Sequence, residues 1–156
     1  MKLLSRGLVC ALALTVAGAG MAQLSVEDQI KYRQSGYTFM AWNMGRIKAQ
    51  TIDHPETFNQ DQVQAAANVI AAIANSGMGA LYGPGTDQGT GWRETRLKSE
   101  FFDEPEKVRD IAVRFINEAN QLREVAATGE RRAIASQFGR VGEACKACHD
   151  NYRAPQ

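Results

Sequence analysis

The chain has 156 residues, with 18 basic against 17 acidic side chains, 44% hydrophobic residues and three cysteines. So near-neutral a balance gives no electrostatic case for nucleic acid or an anionic membrane surface as a partner. A chain of this length builds one domain around one core, and three cysteines are too few to staple it, so packing must hold the fold together.

Lys2 and Arg6 precede an apolar run from Gly7 to Ala19, which ends in Gly20-Met21-Ala22. A charged start, a short apolar stretch and small residues at the cleavage positions describe an export signal, and the run is short for a bilayer span. Residues 1–22 are therefore expected to be removed, Cys10 with them, leaving a single domain over 23–156 that does not insert into a membrane. That segment holds two of the basic residues and none of the acidic ones, so the remaining 134 residues carry 16 basic and 17 acidic side chains, a net charge of −1.

Helical periodicity begins at Val26. A first helix to about Gln50 carries Val26, Ile30, Arg33, Tyr37, Met40, Met44 and Ile47 on one seam, in alternating steps of four and three. Arg33 occupies an apolar position of that seam. An unpaired guanidinium in a core is costly, so an inward Arg33 is expected to meet an anion. A second helix, from about Asn59 to Asn75, turns Val63, Ala67, Ile70 and Ala74 inward, and Gly77 closes it. Six glycines between Gly77 and Gly91, followed by Trp92, occupy the next connection. A third helix carries Val108, Ala112, Phe115, Ala119, Leu122 and Ala126 on its seam, and Gly129 breaks the chain before the last helix. There Ile134, Phe138, Val141, Cys145, Cys148 and Tyr152 share one face, so both thiols point into the seam. With no strand-like alternation of any length, the pattern predicts an all-α fold, an antiparallel up-and-down four-helix bundle.

The chemistry lies in Cys145-Lys146-Ala147-Cys148-His149, seven residues from the end of the chain. In a c-type haem site two thiols at this spacing bond the porphyrin covalently and the adjacent histidine ligates the iron. Zinc would need two further ligands, and the remaining candidates are His54, in an Asp53-His54-Pro55 turn, and Cys10. A redox dithiol normally follows a strand and opens a helix, whereas Cys145 lies late in a helical pattern. One covalently attached haem c per chain is the expected cofactor. Because almost nothing follows the motif, any sixth ligand to iron must come from earlier in the chain, and Met40 and Met44 are the methionine candidates, each also suited to filling the core.

Lys31-Tyr32-Arg33-Gln34-Ser35, Tyr82-Gly83-Pro84-Gly85-Thr86 and Cys145-Lys146-Ala147-Cys148-His149-Asp150-Asn151-Tyr152-Arg153 together resemble cytochrome c′, across essentially all of residues 23–156. That family is itself an example of the up-and-down bundle. The resemblance implies a pentacoordinate, high-spin haem, a periplasmic location, frequent homodimers built largely from the first two helices, and binding of nitric oxide or carbon monoxide at the iron. Carried over by residue, it makes Cys145 and Cys148 the haem attachment, His149 the proximal ligand and metal site, and Arg153 a basic neighbour of the proximal face. It also places Arg33 near the propionates, Gln34 beside it among the cofactor-binding residues, Tyr37 over the iron and Tyr82 in the distal wall. Residues 77–91 depart from the family pattern, and Trp92, Arg93 and Arg96 receive no assigned haem contact.

These assignments favour nitric oxide scavenging or carriage with redox cycling of the iron, through an unidentified redox partner. A low-spin electron carrier is the principal alternative. A haem enzyme acting on nitrite or peroxide comes last, because the seam offers no inward histidine or carboxylate as an acid or base, and His54 reads as a surface loop residue; the chain is expected not to be an enzyme.

Overall fold

A computed structural model describes residues 24–155; the proposed signal segment lies outside the described residues. Ser25 opens the first helix, its hydroxyl accepting a hydrogen bond from the Asp28 amide at 3.0 Å. The α-helix α1 runs Val26–Lys48 and continues as a π turn over Ala49–Asp53, so its regular part ends two residues before the expected Gln50. Asn59 caps α2 (Gln60–Ala74) by accepting from Gln62, and Gly77 stops it in the left-handed region at φ 79°. A long connection and a four-residue helix, α3 (Glu100–Asp103), lead to α4 (Pro105–Ala127), which has proline at its first position. After Gly129, α5 spans Arg131–Tyr152.

The described residues form no strand; two isolated bridges join Thr90 to Glu94 and Leu97 to Arg153. The long helices form an antiparallel four-helix bundle in which α1 packs on α2, α2 on α4 and α4 on α5. The remaining seam, α5 against α1, is the least contacted of the four.

The apolar core sits toward one end of the bundle. Met40 and Ile47 come from the C-terminal half of α1, and Val63, Ala67, Ile70 and Ala74 from α2. Ala119, Leu122 and Ala126 come from the C-terminal half of α4, with Ile134 and Val141 from the start of α5. An up-and-down chain brings these halves to one level, which leaves the other end to the start of α1, the start of α4 and the last turns of α5. This explains one correction to the third seam. Ala112 is exposed and Val108 only half-buried, because core packing along α4 begins at Phe115 and Ile116 and is complete only from Ala119.

Candidate haem site

At the open end, α5 presents Cys145 and Cys148 one turn apart, both half-buried and both free thiols. Burial pushes both thiols above their ordinary pKa, and for Cys145 the neighbouring Cys148 adds to the effect. They also lie in the last two turns of a helix, where the dipole opposes a thiolate. An oxidoreductase dithiol needs the reverse, a pKa lowered at a helix N-terminus, so the pair is held as neutral thiols and is unsuited to disulfide exchange.

His149 follows on the exposed side of the same turn. Desolvation, then repulsion by Arg153, lowers its pKa, with Arg96 adding and Asp150 opposing. The imidazole is thus held neutral at neutral pH, the form that ligates a metal. Arg153 ends α5 in extended conformation and donates its amide to the His149 carbonyl at 3.1 Å.

Across the α1–α5 seam stand two tyrosines. Tyr82 donates its hydroxyl proton to the Tyr37 oxygen at 2.9 Å. Burial raises the pKa of both phenols, most strongly that of Tyr82. Both thiols act electrostatically on Tyr37, and Cys148 also on Tyr82, so the phenols and the haem-motif sulfurs share one small region. Tyr37 is 41% accessible overall, with its phenol desolvated by the side chains around it. Phe101 stacks on Tyr82 with ring centres 4.7 Å apart, and its edge meets Tyr152 at 5.6 Å.

The polar ends of Arg33 and Gln34 both reach the glycine-rich connection. Arg33 is buried, as its seam position requires, but its two amino groups reach the glycine-rich connection. Nη1 donates to the Leu81 carbonyl and the Thr86 hydroxyl at 3.2 and 3.1 Å, and Nη2 to the Thr86 carbonyl and the Thr95 hydroxyl at 2.8 and 3.0 Å. Its guanidinium lies 4.4 Å from the centre of the Tyr82 ring. Neutral acceptors meet the cation here, and burial lowers its pKa, opposed only by the two phenols. Gln34 spends its amide on the same connection: Oε1 accepts from the Trp92 and Arg93 amides at 2.8 and 3.3 Å, and Nε2 donates to the Arg93 carbonyl at 2.8 Å. Gln29, one turn before Arg33, accepts from the Gly83 amide at 3.0 Å.

Residues 83–95 are thus strapped onto α1. Gly91 makes the approach possible, since a Cβ there would lie 2.8 Å from both the Ile30 side chain and the Lys31 backbone nitrogen. The far end of the connection is tied to the end of α5. Lys98 donates its amide to the Tyr152 carbonyl and Nζ to the Asn151 carbonyl, and Arg96 donates Nε to the Ala154 carbonyl at 2.8 Å. Trp92 faces solvent on the outer side of α1, 73% accessible, and donates its indole proton to the Ser35 hydroxyl. Met40 and Met44, the methionine candidates for iron, pack in the apolar core.

Sequence reasoning missed the strap and Phe101. A signal for the strap was present: Arg33 occupies a seam position that asks for an apolar residue, and Gln29 and Gln34 adjoin it on the same side of α1. The donor set fits a covalently held haem c. Two neutral thiols at haem-motif spacing and a neutral imidazole beside them are the groups that cofactor requires, and the Tyr82 and Phe101 rings add apolar surface for a macrocycle.

The sequence pattern of the Cytochrome C' family matches residues 28–153. The cytochrome c' of Allochromatium vinosum is 58% identical over 144 residues, covering 92% of this chain and 92% of its own. Among solved structures, a cytochrome c' with ligand-controlled dimer dissociation is 60% identical, covers 86% of this chain and 100% of its own, and superposes with a TM-score of 0.80. The nitric oxide complex of a mutant cytochrome c prime from Alcaligenes xylosoxidans is 29% identical, covers 85% and 98%, and has a TM-score of 0.74.

Proposed function

The chain belongs to the cytochrome c′ family, and on that premise we propose that it is an exported, periplasmic haem protein that binds nitric oxide and carbon monoxide at a five-coordinate, high-spin iron. Its role is nitric oxide scavenging or carriage, with redox cycling through a separate partner protein. The observation that carries this reading is the α1–α5 seam, where Cys145 and Cys148 lie close to the Tyr37–Tyr82 pair and His149 follows them on the same helix. Cys145 and Cys148 would hold one haem c covalently, and His149 would ligate its iron. When bound, the haem supplies an iron able to take a diatomic ligand on the side away from His149.

The chain's own residues set the selectivity. The rings of Tyr37 and Tyr82 crowd the wall, and their phenols stay protonated across the neutral range. Neither is a ready general acid or base near pH 7, which favours ligand binding over turnover. Because Met40 and Met44 are engaged in the core, a methionine ligand would require α1 to repack. The nitric oxide complex of the Alcaligenes relative supports gas binding.

A homodimer fits the outer face of α1. Tyr32, Phe39 and Trp42 share that face, 50–57% accessible, with Phe39 and Trp42 stacked at 5.6 Å and Trp92 beside Ser35. So many exposed aromatic rings on one helix face make a self-association surface, and one solved relative is a dimer.

Optical spectra of the ferric and ferrous protein, before and after each gas, test the reading. High-spin bands that shift with carbon monoxide and nitric oxide are expected. Sharp low-spin bands unmoved by carbon monoxide would instead make the molecule an electron carrier.

A further inference from the structure

We propose that Tyr82 is a positioning residue that fixes the direction of the Tyr37 hydroxyl proton, making the gas site a hydrogen-bond donor and not simply an apolar plug. The inference rests on the functional reading above and deepens it by assigning how the wall treats a polarised ligand.

A phenol has one proton to give. Tyr82 gives its proton to Tyr37 at 2.9 Å, so the Tyr37 oxygen is already an acceptor and its own proton is free for a third group. The direction of this bond has a physical cause. The Arg33 guanidinium lies 4.4 Å from the centre of the Tyr82 ring, and a cation over a phenol ring draws electron density from it and strengthens its O–H as a donor. Arg33 cannot drift from that position without giving up its four hydrogen bonds to Leu81, Thr86 and Thr95. From the other side the Tyr82 ring is stacked on Phe101. Guanidinium, Tyr82 and Tyr37 therefore form a short chain in which each group polarises the next, and its free end lies on the side of Cys145 and Cys148.

Of the two phenols only Tyr37 keeps a proton to give, so Tyr82 should act wholly through Tyr37. Infrared spectra of the ferrous carbon monoxide complex of the haem-loaded protein test this, because a facing donor lowers the C–O stretch. Tyr37→Phe should raise the stretch and speed carbon monoxide release roughly five-fold, the loss of one neutral hydrogen bond of about 1 kcal/mol. Tyr82→Phe should move the band in the same direction by less and broaden it, since the Tyr37 proton then has no fixed direction. The double variant should match Tyr37→Phe alone. A band indifferent to Tyr82→Phe overturns the inference and leaves the gas-binding reading intact. A double variant shifted beyond Tyr37→Phe also overturns it, because Tyr82 would then touch the ligand itself. If the unsubstituted protein forms no carbon monoxide complex, the functional reading falls and this inference with it.

Discussion

Removing the hydroxyl of Thr86 isolates the contribution of the strap over α1. Thr86 is fully buried; its hydroxyl donates to the Gly83 carbonyl at 2.8 Å and accepts from Arg33 Nη1 at 3.1 Å. Thr86→Val keeps the branched shape and deletes both bonds, leaving Nη1 with the longer contact to the Leu81 carbonyl. One neutral bond contributes about 1 kcal/mol and one from a charged donor about 1.5–3 kcal/mol, so the expected loss is about 2–4 kcal/mol. With roughly 130 ordered residues at about 2.1 cal/mol/K each, the unfolding entropy is near 0.27 kcal/mol/K, and the midpoint should fall by about 7–15 °C. Thermal denaturation followed by far-ultraviolet circular dichroism measures it, with Thr86→Ser, which retains the hydroxyl, falling much less. A Thr86→Val midpoint within about 2 °C of the parent would show that this hydroxyl does not fasten the strap.

Introducing glutamate at Phe39 or Trp42 should turn a dimer into a monomer while leaving the haem spectra unchanged, as sedimentation at micromolar concentration would show; a variant that stays dimeric removes the outer face of α1 from the interface. Tyr152→Phe should change how stability depends on pH. Burial, then the hydrogen bond its hydroxyl donates to Glu104 at 2.5 Å, raises the Tyr152 phenol to about 12, and the same bond holds the Glu104 carboxyl below its ordinary range. The raised phenol contributes stability in full below its unfolded pKa near 10, and that contribution is lost between pH 10 and about 12. The lowered carboxyl contributes above its ordinary pKa and loses its share as pH falls through the folded value. Melting curves of parent and variant should therefore lie furthest apart between about pH 5 and 10 and converge on either side; a constant gap from pH 10 to 12 would contradict the pairing.

Much of the bundle could be read from spacing alone. Val63, Ala67, Ile70 and Ala74 are inward as their steps of three and four require, Asn59 caps the helix that follows it, and Gly77 and Gly129 stop helices at positive φ. These features depend on neighbours within a few residues, where backbone geometry leaves few choices. Arg33 shows where such reasoning stops. Its buried position followed from the seam, but its partners Thr86 and Thr95 lie 53 and 62 residues away, in a connection without periodicity. A buried guanidinium can be satisfied by an anion or by several neutral oxygens, and only the folded chain decides which lie within hydrogen-bond reach.

The haem motif divides the same way. Cys145-Lys146-Ala147-Cys148-His149 determines its own chemistry, because two thiols one turn apart and an adjacent imidazole are set by a single helix. What faces them was a tertiary matter. Tyr37 reached the site by its seam position, whereas Tyr82 and Phe101 arrive on a strap and a four-residue helix that local periodicity does not encode. Sequence thus determined the spacing of thiols and imidazole and the helices of the bundle, through contacts local to one helix. Tertiary structure alone decided the polarity of the wall opposite the thiols, because that depends on hydroxyls and a guanidinium brought together from distant parts of the chain.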